Sequence, residues 1–165
     1  MIMTIEESFK EVYTKFKMHF YREIFGRFNN LDGNLTTVET FCMEVIYAMD
    51  RPTINEFANF INISQPNAAY KVNNLIKKGY LIKTQSTKDR REYFLEVTQK
   101  YKDYFNISSG YMQDVIGRVD ARLDDEQKRE FQDTLDIMSS ELMPDIPDYR
   151  TRKRAETVET AEATT

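Results

Sequence analysis

A chain of 165 residues, 41% hydrophobic and 30% charged, is long enough to pack one domain without disulfides and too apolar for wholesale disorder. A formal charge of −4 gives no averaged attraction for a polyanion, so any nucleic-acid case rests on where the charges lie. Cys42 is the single cysteine, which rules out an internal disulfide and points to a reducing, cytoplasmic setting.

The opening "MIMTIEESFKEVYTKF" carries acidic residues where a secretory signal needs basic ones, and nowhere does an apolar run reach bilayer length. Neither export nor membrane insertion is expected. Ile5, Phe9, Val12, Phe16, Phe20 and Ile24 recur at steps of three and four, which predicts a helix over 5–28. "NNLDGN" at 29–34 breaks it with turn chemistry. "LTTVETFCMEVIYAMD" predicts a second helix, capped by Thr36 or Thr37 with Glu39 in its first turn.

In "RPTINEFANFINI", Thr53 and Glu56 have capping-box spacing, and Ile54, Phe57, Ala58 and Ile61 form an inward face. Asn62 ends this short helix. Ser64 caps the next, which runs to about Lys78 before Gly79, with Pro66 in the first turn where a missing N–H costs little. "YLIKTQ" and "REYFLEVT", separated by "STKDR", predict a two-stranded hairpin. From Thr98 the helical period returns through Tyr101, Tyr104, Phe105, Ser108, Met112, Val115 and Val119. A last helix starts near Asp124 and repeats at Phe131, Leu135, Met138 and Leu142.

The expected fold is mainly α with a small β-hairpin wing. A winged helix-turn-helix at 35–98 lies between long helices at 1–34 and 99–144, and a polar, frayed tail occupies 145–165.

Charge is unevenly spread. Between Ser64 and Arg91, seven cations (Lys71, Lys77, Lys78, Lys83, Lys88, Arg90 and Arg91) face one carboxylate, Asp89, leaving +6. A total of −4 then leaves −10 for everything else. A solvated lysine surface is the bland account of such a run. Its coincidence with a turn-linked helix pair and a hairpin favours docking of a phosphate backbone instead. A reading helix penetrates the major groove by its N-terminal part, where small and amide side chains fit. Gln65 and Asn67 suit base edges, Ala68 and Ala69 allow close approach, and Tyr70, Lys71 and Asn74 lie one turn further on. Val72, Leu75 and Ile76 are placed to pack inward. In the wing, Lys88, Arg90 and Arg91 suit phosphate and the minor groove, and Asp89 suits holding an arginine in a fixed pose.

The run from "LTTVETFCMEVIYAM" through "TINEFANFINISQPNAAYKVNNLIKKGYLIKTQSTKDRREYFLEVT" resembles the MarR family, most specifically in "IS" with "LIKKGYL" and in "DRREYFLEVT". The resemblance implies a homodimeric winged-helix transcription factor, most often a repressor. Its first helix and last two helices would form the dimer interface, and it would bind a pseudo-palindromic duplex DNA operator under control of a small ligand or an oxidant. It places Ser64, Gln65, Asn67 and Lys71 on recognition-helix contact positions. It also assigns Asp89 to orienting the wing, Arg91 to the minor groove and Arg90 to phosphate. Tyr70 and Ser86 depart from the family pattern, which commonly has a basic residue and a second wing aspartate there.

Phe16, His19, Phe20, Cys42, Tyr47, Tyr101, Tyr104 and Tyr111 are candidates for an effector pocket. Plain core packing competes with that reading. Cys42 has no Lys, Arg or His beside it in sequence to activate it, and is expected to be a buried, inert thiol. One histidine and one cysteine do not make a metal cluster, so neither metal nor other cofactor is expected. No phosphate loop and no nucleophile–base set appears, which disfavours an enzyme. A winged-helix module that binds protein rather than DNA is the competing function.

Overall fold

Four helices of this chain begin with the same local device. The Thr4 amide donates to Glu7 Oε2 at 2.8 Å, and the Glu7 amide donates back to Thr4 Oγ1 at 3.2 Å. The same reciprocal capping box joins Thr36 to Glu39, Thr53 to Glu56 and Asp124 to Gln127. Each satisfies amides that have no intrahelical acceptor, and so fixes where a helix starts.

In the computed structural model, which describes residues 3–28, 35–86 and 91–146, six helices and one hairpin follow in order. They are α1 (Ile5–Phe28), α2 (Thr37–Ala48), α3 (Ile54–Phe60), α4 (Gln65–Lys77), β1 (Leu81–Gln85), β2 (Tyr93–Val97), α5 (Gln99–Asp120) and α6 (Asp125–Ser140). The expected turn at 29–34 and most of the expected tail lie outside the described residues.

Two helices also end alike. After α3, Asn62 takes φ 54°, and the Ile63 amide reaches back to the Ala58 carbonyl at 3.0 Å. After α4, Gly79 takes φ 78°, and the Tyr80 amide donates to the Leu75 carbonyl at 3.0 Å. Both are left-handed caps that close the helix with a six-to-one bond and turn the chain sharply. The first sets the angle between α3 and α4; the second delivers the chain into β1.

The hairpin is antiparallel, with Leu81 opposite Val97, Lys83 opposite Leu95 and Gln85 opposite Tyr93. Sequence periodicity missed a third participant. Asp50 and Arg51 both adopt positive φ, and the chain after them lies along β2, where the Leu95 amide donates to the Pro52 carbonyl at 2.8 Å. Thr53 bridges to Phe94. The Arg51 guanidinium braces this corner, with Nε at 3.0 Å and Nη2 at 2.9 Å from Glu96 Oε1, and stacks over the Phe94 ring.

The core sits under this winged helix. Met43 and Ile46 of α2, Phe57 of α3, Val72 and Leu75 of α4, and Leu95 of β2 are fully buried around it. Side chains of this size each contribute about 1.5–3 kcal/mol on burial.

The long helices behave differently. Along the predicted stripe of α1, Ile24 is buried and Phe16 and Phe20 are half-buried, but Ile5 is 91% exposed and Phe9 and Val12 are half exposed. No residue of α6 is buried, and Phe131, Leu135 and Leu142 stand in solvent. The periodicity is there, but among the described residues nothing buries Ile5, Phe9, Val12 or the apolar side chains of α6.

Candidate nucleic-acid interface

A 13-residue helix that packs by one stripe must show the other three, and α4 sorts its side chains this way. Ala68, Val72 and Leu75 face the core. Ala68 is completely buried, so it does not present its methyl outward as the sequence reading expected; it lies four residues before Val72 and seven before Leu75, on the same face. Opposite the core, Pro66, Tyr70, Asn73 and Lys77 form the outward row, all exposed, with Tyr70 at 67%. Neither Asn73 nor Lys77 was singled out for contact from sequence. Counting turns from Val72 and Leu75 would have found both.

On one shoulder of α4, Gln65 and Ala69 look towards the hairpin. They share a groove of about 920 Å³ with Pro66, with Asn55 and Glu56 of α3, and with Arg91 to Phe94. Arg91 is exposed there. Glu56 and Glu92 are the carboxylates lining it, and the Glu56 carboxylate is already bonded to Thr53. The hairpin narrows at Ser86, which is buried and whose amide donates to the Glu92 carbonyl at 3.0 Å. Lys88, Asp89 and Arg90 lie outside the described residues.

On the other shoulder lie Asn67, Lys71, Asn74 and Lys78, at helical spacing. Asn67 is exposed, while Lys71 and Asn74 are half-buried. Lys78 is committed: its ammonium lies 2.7 Å from Glu39 Oε2 of α2. One of the seven cations counted between Ser64 and Arg91 is therefore neutralised by a residue outside that stretch. Lys83 instead bonds across to α4, Nζ to Asn73 Oδ1 at 3.1 Å. Ser64 does occupy the cap position of α4, but its hydroxyl makes no capping bond, contrary to the expected role.

The candidate effector residues separate. Phe16, His19 and Phe20 line one cleft of about 450 Å³ with Tyr13, Phe41, Glu44 and Tyr111, between α1, α2 and α5. The His19 imidazole lies flat on the Tyr111 ring, with centroids 3.9 Å apart. Cys42 is not part of this cleft. It projects from α2 into the winged-helix core, where burial pushes its thiol pKa up despite the nearby Lys71 charge. Tyr47 faces a different depression, beside Asp50, Arg51 and Lys102. The side chain of Tyr104 lies outside the described residues. The sequence reading grouped these residues by type, whereas α2 turns Phe41 and Glu44 to the cleft and Cys42 to the core, and Tyr101 is fully buried in that core.

Among the described residues, no group of His, Cys, Asp and Glu could hold a metal ion, and no helix is long and apolar enough to cross a membrane.

The geometry defines a winged helix-turn-helix set among long helices, with an outward row of polar side chains on its second helix. Residues 35–93 match the model of the MarR family. The fold is similar to that of a MepR point mutant from a multidrug-resistant S. aureus clinical isolate, with a TM-score of 0.58, 16% identity, 87% of this chain and 100% of that one covered. It is also similar to the transcriptional regulator Tm0710 from Thermotoga maritima, with a TM-score of 0.53, 21% identity and coverage of 81% and 90%. A third likeness is to S. aureus MepR bound to ethidium bromide, with a TM-score of 0.51, 16% identity and coverage of 86% and 98%. No curated protein matches the chain. The winged helix at 35–93 is thus similar to that of the MarR family, and the fold of the whole chain is similar to those of these solved structures.

Proposed function

We propose that this chain is a cytoplasmic transcriptional regulator that binds duplex DNA as a homodimer and represses from a pseudo-palindromic operator. One observation carries the reading. The face of α4 turned away from the core holds Pro66, Tyr70, Asn73 and Lys77, with Gln65 and Asn67 on its shoulders and no carboxylate anywhere along the helix. Amides and a phenol serve base edges and phosphate oxygens, and the lysine serves phosphate. Gln65, Asn67 and Tyr70 reach into the major groove, with Ser64, Ala69, Lys71 and Asn74 at its margins. Arg91 enters the minor groove, supported by Lys88, Asp89 and Arg90.

The exposed apolar residues of α1 and α6 support pairing with a second copy. Ile5, Phe9, Val12, Phe131, Leu135 and Leu142 are all exposed, and apolar side chains in such number are costly to leave wet. Residues 1–34 and 99–144 then serve as the dimerisation region, and two copies of α4 meet successive turns of the duplex.

The cleft under α1 supports modulation by a small ligand. Its walls are largely aromatic, and its one carboxylate, Glu44, is matched by one ammonium, Lys17, among the described lining residues, so a flat aromatic ligand fits its chemistry. A mobility-shift assay with the DNA upstream of the chain's own gene tests the reading. The expected result is a complex that weakens steeply with salt. A salt-insensitive association, or retention of a protein partner with no DNA at low salt, would favour a protein-binding module.

A further inference from the structure

We infer that Asn73 of α4 and Lys83 of β1 act together as a seat for one DNA phosphate, at the seam between the helix and the wing. The inference rests on the DNA-binding reading and adds a contact to it that is independent of base sequence.

Both side chains are exposed, and they meet across two elements, with Lys83 Nζ 3.1 Å from Asn73 Oδ1. An ammonium donates and cannot accept, so the oxygen of Asn73 is the atom that must face it. That fixes the amide: its NH2 group turns away from Lys83, and its two protons are offered outward. Lys83 retains two further protons of its own. The pair thus presents donors only, on neighbouring atoms, beside no carboxylate of α4 or β1. Phosphate oxygens are the matching acceptors on nucleic acid.

Topology supplies the placement. Adjacent major and minor grooves are separated by one sugar–phosphate strand. A protein that sets α4 in one groove and the wing in the next must straddle that strand with whatever joins helix to wing. Asn73 lies on the outward row of α4 towards the hairpin, and Lys83 lies midway along β1, opposite Leu95. The bond between them spans that seam.

The test uses the full chain, a fluorescent mixed-sequence duplex and a titration of salt, because a phosphate contact needs no operator. For the wild type, the logarithm of affinity falls linearly with the logarithm of salt concentration. Lys83→Ala should flatten that slope by about 0.9 per subunit, the release expected for one phosphate. Asn73→Asp separates a phosphate seat from a structural bond. An aspartate would pair with Lys83 at least as well as the amide does, so thermal stability should hold or rise while DNA affinity falls. If either variant binds duplex with the wild-type slope and affinity, the seat is overturned and the DNA-binding reading survives. If the wild type itself shows no salt-dependent binding, both fall.

Discussion

The Tyr101 hydroxyl donates a 2.7 Å hydrogen bond to Glu44 Oε1, joining the first turn of α5 to α2. Tyr101 is completely buried in the winged-helix core, while Glu44 also lines the aromatic cleft beneath α1. One carboxylate therefore belongs to the core on one side and to the cleft on the other. Tyr101→Phe removes this donor from a partly buried carboxylate. It should destabilise the chain by about 1–3 kcal/mol in urea unfolding at neutral pH. An unchanged midpoint would mean that the bond contributes nothing net.

Glu39 gives a pH dependence with a definite sign. Burial alone would raise its carboxyl pKa, but Lys78 and the Thr36 cap outweigh that and hold it below the ordinary 4.5. A depressed carboxylate stabilises the fold fully above its unfolded value, and that contribution is lost as pH falls through the folded value. The stability difference between wild type and Glu39→Gln should thus be largest near neutrality and shrink below about pH 4.5. A difference that stayed flat on acidification would remove the ion pair from the account.

Lys77 and Lys78 are neighbours with separate tasks. Lys77 is on the exposed row, and Lys78 is bonded to Glu39. Lys77→Ala should flatten the salt dependence of DNA binding and leave the melting temperature unchanged. Lys78→Ala should do the reverse, at a cost of about 1–2 kcal/mol in stability. Parallel melting and binding curves on the two variants decide it, and identical behaviour would contradict the sorting of α4 into rows.

Arg91→Ala should weaken operator binding by about 1–3 kcal/mol, and Asn67→Ala should relax base preference at a single position. Unchanged operator affinity in both would remove these residues from the interface while leaving the fold in place.

Cys42 should resist thiol reagents in the folded chain, because burial keeps its proton on and blocks access. Rapid alkylation without denaturant would show that α2 opens.

The winged helix was legible in the sequence because its signals are local. Thr-x-x-Glu boxes start α2 and α3, Asn62 and Gly79 end α3 and α4, and the hairpin strands announce themselves by residue type. What the sequence did not disclose depends on contacts between distant residues. The joining of Pro52 and Thr53 to β2 rests on two left-handed residues, Asp50 and Arg51, that carry no glycine signal. The removal of Lys78 from the basic surface depends on a partner 39 residues away. Ala68 was misplaced because a small side chain fits either a core or a groove, and only the neighbours decide. The effector residues scattered because spacing along α2 does not reveal which of its faces meets α1. On the long helices the helical periods were legible, but Ile5, Phe9, Val12 and Leu142 of the expected stripes are exposed.

The central claim is that a symmetric pair displays α4 twice along one face of a duplex. Selection of bound sequences from a random duplex pool by the full chain tests it most directly. The account expects two inverted half-sites with centres about one helical turn, roughly 10 base pairs, apart. Recovery of no enriched sequence, or of a lone half-site without a symmetric mate, would contradict it.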